Sequence, residues 1–77
     1  MAEHIVKATI DVDPEAMMRV TALLKRKGYQ MRRILLESDS SQEFASLEMV
    51  LWSEAHSVET TRNVLGRIYS VHNVEII

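Results

Sequence analysis

Cysteine is absent from this chain of 77 residues, which excludes disulfides, thiolate metal sites and cysteine nucleophiles. Long apolar runs are missing too. No stretch approaches the roughly 20 residues that a membrane-spanning helix requires. The N-terminus enters an alternating pattern directly, without the charged-then-apolar order of a secretory leader, so a cytoplasmic location is expected. Neither sign of charge is in great excess: 9 Lys and Arg stand against 11 Asp and Glu, for a net charge of -2. That balance offers no general attraction to nucleic acid or anionic lipid. Aromatic residues make up only 5% of the chain. What remains is the composition of an ordinary globular protein, 47% apolar and 26% charged. The length suits one domain over residues 1–77. A chain this short buries only about 60% of its unfolded surface, so a partner surface would help it.

The only proline, Pro14, and the first of two glycines, Gly28, bracket the most strongly specified segment. Asp13 can cap the open backbone N–H groups, Pro14 suits the first helical position, and Glu15 complements the positive end of the dipole. Met17, Val20 and Leu24, flanked by Ala16 and Leu23, recur at helical spacing and form one apolar stripe. Lys25, Arg26 and Lys27 favour the negative end, and Gly28 can take the left-handed conformation that stops a helix.

Around this helix the chain reads as four strands and a second helix. Residues 4–12 alternate, with Val6, Ala8, Ile10 and Val12 on one side. Residues 29–38 carry Met31, Ile34, Leu35 and Leu36, and 39–42 are polar residues suited to a hairpin turn. Residues 44–53 put Ala45, Leu47, Met49 and Leu51 on one face and Phe44, Val50 and Trp52 on the other. Ser57 can cap a helix whose stripe is Val58, Thr61, Leu65 and Ile68, with Tyr69 at its edge. Gly66 weakens that helix but would permit a close approach to the other helix or the sheet. A link over 70–73 leads to a last strand at 74–77.

The order βαββαβ fits two right-handed β-α-β halves joined by a hairpin. The expected fold is an α+β, ferredoxin-like sandwich: a four-stranded antiparallel sheet in the order 4-1-3-2, with both helices on one face. The other face has no cover within the chain. Phe44, Val50, Trp52 and one side of Ile34, Leu35 and Leu36 are therefore expected to form an apolar interface, and the second strand is an open edge. Self-association or docking on a larger subunit follows.

Catalytic chemistry is hard to assemble from these residues, and no catalytic residue is assigned. His4, His56 and His72 lack metal-ligand spacing and read as surface histidines, so no metal is expected. The serines of 38–41 belong to no nucleophile motif, and the carboxylate pairs Glu37 with Asp39 and Glu43 with Glu48 sit in polar sequence. An RNA-binding sheet of this topology would need central aromatic residues on its first and third strands; Trp52 and Phe44 lie at opposite ends of the third. The methionines read as core filler. The amino end of the first helix is the remaining candidate, as a site for a ligand carboxylate. Glu15 places negative charge there, and no glycine admits a ligand to the backbone.

The run from Asp13 to Val20, the helix exit from Leu24 to Tyr29 and the stretch from Tyr69 to Val74 resemble the ACT domain of acetolactate synthase small subunits. The resemblance covers nearly the whole chain and is closest to the short, isozyme II type. It implies a non-catalytic regulatory subunit in branched-chain amino-acid biosynthesis. Such a subunit is a homodimer and joins a large catalytic subunit that carries thiamine diphosphate, FAD and magnesium; this chain itself would hold no cofactor. Effector binding in such proteins is implied at Val12, Asp13, Pro14, Glu15 and Ala16. Feedback-inhibited relatives have asparagine and glycine where this sequence has Val12 and Glu15, so tight valine binding is not expected. The alternative is a free-standing ACT-type amino-acid sensor that holds its ligand between two protomers.

Overall fold

A computed structural model describes residues 2–38 and 43–77, and the expected turn over 39–42 lies outside them. The elements are β1 (Ala2–Asp11), α1 (Pro14–Arg26), β2 (Gln30–Ser38), β3 (Phe44–Ser53), α2 (Val58–Gly66) and β4 (Val71–Ile76). They form one antiparallel sheet in the order β2-β3-β1-β4, the arrangement expected from the sequence.

Helix α1 begins and ends as its residues dictate. The Asp13 carboxylate accepts the Glu15 amide at 3.0 Å. At the other end Gly28 adopts φ +92°. The Tyr29 amide then reaches the Leu24 carbonyl at 3.0 Å and the Gly28 amide the Lys25 carbonyl at 3.1 Å, the paired bonds of a Schellman stop. Ala16, Val20 and Leu24 are the buried stripe, with Met17 and Leu23 half-buried on its flanks. They pack on Val6, Ala8 and Ile10 of β1 and Ala45, Leu47, Met49 and Leu51 of β3. Thr61, Leu65 and Ile68 complete the core from the second helix and its exit.

Several expectations need correction. Val58 is exposed and Tyr69 is 87% exposed, so neither belongs to the α2 stripe. Gly66 is the last residue of α2, and a Cβ placed there would meet nothing within 4 Å; no close helix approach depends on it. Strand β4 begins at Val71, three residues before the expected start, because His72 is an extra residue bulged between the pairs Ile10–Val71 and Thr9–Asn73. Arg32 is a second bulge, between the pairs Met31–Leu51 and Arg33–Val50.

The bulge at Arg32 decides which face each later β2 residue occupies. Ile34 pairs with Met49 and Leu36 with Leu47, which places both on the helix side, whereas Leu35 pairs with Glu48 on the open side. The side of this run that joins Phe44, Val50 and Trp52 is therefore Leu35 alone. Leu35, Phe44, Val50 and Trp52 are half-buried on the open face, among Lys7, Arg33 and Glu48. Arg32 lies over the Trp52 ring at 5.5 Å and His72 meets the Phe44 ring edge-on at 5.1 Å. Both bulged side chains thus shield an aromatic, and the open face is less apolar than expected. Ile34 and Leu36 instead stand 42% and 46% exposed along the β2 edge.

Candidate functional site

The turn from β1 into α1 forms one wall of a cavity of about 310 Å³. Ile10, Val12, Met17, Leu36 and Ala45 make it apolar, and Asp11, Asp13 and Ser38 lie at its polar margin. Helix α1 supplies Met17, the β1 exit supplies residues 10–13, and edge strand β2 supplies Leu36 and Ser38.

Of the five effector residues named from the sequence, Val12, Asp13 and Pro14 line this cavity. Glu15 faces away and pairs with Arg19 at 3.1 Å. Ala16 has no exposed surface and belongs to the core. Ile10, Asp11, Met17, Leu36, Ser38 and Ala45 were not anticipated. The apolar flank of α1 pointed toward Met17, but nothing local in the sequence connects β2 to this turn.

Four of the backbone donors at this turn are already engaged. The Asp11 amide donates to the Ser70 carbonyl at 3.0 Å and the Val12 amide to the Glu43 carbonyl at 3.2 Å. The Glu15 amide is held by the Asp13 side chain, and the Ala16 amide by the Asp13 carbonyl at 2.9 Å. Pro14 has no N–H to offer. Asp11, Asp13 and Glu15 add negative charge, of which Glu15 is paired with Arg19, while Asp11 meets the His72 ring. A carboxylate entering here would meet like charge, with the Asp11, Val12, Glu15 and Ala16 amides already bonded.

The histidines depart from the sequence reading at the opposite end of the sheet. His4 is 2% exposed, with Nε2 3.1 Å from the His56 carbonyl oxygen. The His56 ring stacks on Tyr29 at 4.3 Å, and the Tyr29 hydroxyl is 2.7 Å from Thr61 Oγ1. Ser53 Oγ lies 2.5 Å from His56 Nδ1, a pairing that invites comparison with a nucleophile and its base. Its surroundings argue otherwise. The same oxygen accepts the Ala55 and His56 amides, both at 3.2 Å, and Ser53 is 1% exposed. Its hydroxyl proton therefore goes to His56 Nδ1, and the pair locks the β3–α2 loop. Among the described residues no group of His, Asp and Glu could hold a metal ion, and no helix is long and apolar enough to cross a membrane.

No family model matches this sequence, and no curated protein matches it. Solved structures do. Over 99% of its length the chain is similar to the acetolactate synthase small subunit of Thermotoga maritima, with a TM-score of 0.84 at 18% identity. It spans 47% of that protein, about half its length. It is also similar to the ACT domain of GTP pyrophosphokinase from Chlorobium tepidum, with a TM-score of 0.71 at 9% identity, covering 97% of this chain and 96% of that one. A third likeness, TM-score 0.72 at 12% identity, is to formyltetrahydrofolate deformylase from Burkholderia mallei, covering 100% of this chain and 28% of that one. At such identities the likeness is one of fold, and the fold is the ferredoxin-like ACT arrangement.

Proposed function

We propose that this chain is a non-catalytic regulatory subunit of an acetolactate synthase in branched-chain amino-acid biosynthesis, working as a homodimer bound to a large catalytic subunit. The observation that carries this reading is the end-to-end likeness to a synthase small subunit, over 99% of the chain. The sequence features at Asp13–Val20 and Leu24–Tyr29 support the same family. Thiamine diphosphate, FAD and magnesium would be held by the large subunit.

Edge strand β2 supports the homodimer. Laid antiparallel against a second copy about Leu35, it sets Arg33 opposite Glu37 of the second copy on the open face. The same register sets Ile34 opposite Leu36 of the second copy on the helix side. Charge meets opposite charge, and the exposed apolar residues meet each other. Neither Arg33 nor Glu37 has an ion-pair partner among the described residues. On the other edge, β4, the bulge at His72 leaves only residues 73–76 uninterrupted, against 33–38 of β2.

The engaged amides and acidic margin of the β1–α1 cavity favour the subunit over the free-standing sensor. Reconstitution tests the proposal: the chain is mixed with the thiamine-diphosphate catalytic subunit from the same cell, and acetolactate formation is assayed. Co-elution with a gain in activity or stability is expected; a catalytic subunit that neither binds this chain nor changes in its presence overturns the reading.

A further inference from the structure

On the outer surface of the helix layer, α1 and the exit of α2 enclose an open groove of about 350 Å³. Leu23 and Ile68 form its floor, Arg19, Arg26 and Arg67 its margin, and Tyr69 one end. We infer that this groove docks an acidic, amphipathic segment of a partner polypeptide. The inference goes beyond the synthase reading and does not require it.

Charge is the first argument. The chain carries a net -2, yet three arginines line one groove. Arg19 is fixed in place, donating to Ser70 Oγ at 2.6 Å and to Glu15 at 3.1 Å. Arg26 and Arg67 have no ion pair among the described residues. Both stand at helix C-termini, where a cation is favoured by the dipole, but that explains neither their shared groove nor Tyr69. Tyr69 is 87% exposed, the most exposed large apolar side chain among the described residues, and lines the same groove as these arginines. Tyrosine and arginine around an apolar floor are the residues that dominate binding energy at protein interfaces.

The shape separates a polypeptide from a small anion. The floor is apolar, so a bare phosphate would leave Leu23 and Ile68 without contact. An amphipathic helix with leucines on one stripe and glutamates on its flanks satisfies floor and margin together.

The test is a nitrogen-15 NMR titration of the full chain with a synthetic helical peptide of that leucine and glutamate pattern. Polyglutamate and inorganic phosphate are titrated in parallel. The peptide is expected to shift the amides of Leu23, Arg26, Arg67 and Tyr69 and to bind about tenfold or more weakly to Arg26→Glu/Arg67→Glu, which reverses two favourable charges. Tyr69→Ala, at an exposed position outside the core, is expected to weaken binding as well. The inference fails if phosphate or polyglutamate shifts the same amides as strongly. It also fails if the peptide acts elsewhere or not at all, or if the double variant binds as the wild type does.

Discussion

Gly28 and Gly66 both close helices, but only one of them needs to be glycine. Gly28 holds φ +92° in open space, so an alanine there pays for the left-handed backbone and meets no steric obstacle. Gly28→Ala is expected to lower the free energy of unfolding by about 1 kcal/mol in urea denaturation. Gly66 has no positive φ and nothing near a Cβ, so Gly66→Ala is expected to raise it by about 0.5 kcal/mol. Opposite signs are the test; equal losses would show that α2 packs at Gly66 after all. Gly28 was legible in the sequence because Lys25, Arg26 and Lys27 announce a helix end before it. Gly66 was not, since the apolar spacing continues through Ile68 while the helix stops at Gly66. His4 was misread for a related reason. It falls on the Val6, Ala8, Ile10 face of β1, and only the β3–α2 loop supplies the carbonyl that satisfies it there.

At the scale of elements, caps and alternation carried the assignment of α1 and β3, and two bulges defeated it elsewhere. Period-two reading fails across Arg32, where Met31 and Ile34 share a face three residues apart. It fails again at His72, which hid the first three residues of β4. The consequence for function lies in β2. With Arg32 bulged out, residues 33–38 form an uninterrupted edge on which Arg33 and Glu37 stand symmetrically about Leu35. Arg33→Glu is expected to weaken self-association about tenfold by placing like charges opposite each other. Adding Glu37→Arg restores opposite charges and is expected to recover it, as read by sedimentation equilibrium. Loss without recovery would mean that the edge pairs in another register.

Considered whole, the described residues form one sheet with one helix-covered face and, in β2, an open edge that is unbulged over residues 33–38 beside an apolar cavity. The cavity could be placed from the sequence only in part, because the turn that opens α1 was recognisable but its wall from β2 depends on tertiary pairing. Its Asp11, Val12, Glu15 and Ala16 amides are engaged and its margin is acidic, so calorimetry with valine is expected to show no micromolar binding. A micromolar dissociation constant would show that these groups rearrange to receive a carboxylate.

The central claim is that β2 closes on β2 of a second copy about Leu35. The chain contains no cysteine, so a single Leu35→Cys substitution introduces one thiol that can only pair with its own counterpart. Opposed residues in an antiparallel pair lie about 4.5–5.5 Å apart at Cα, within disulfide reach. Mild oxidation followed by non-reducing mass measurement is expected to give a covalent dimer at twice the 8.8 kDa chain mass, while Glu75→Cys on β4 stays monomeric. Leu35→Cys remaining at 8.8 kDa, or cross-linking no faster than Glu75→Cys, would contradict the account.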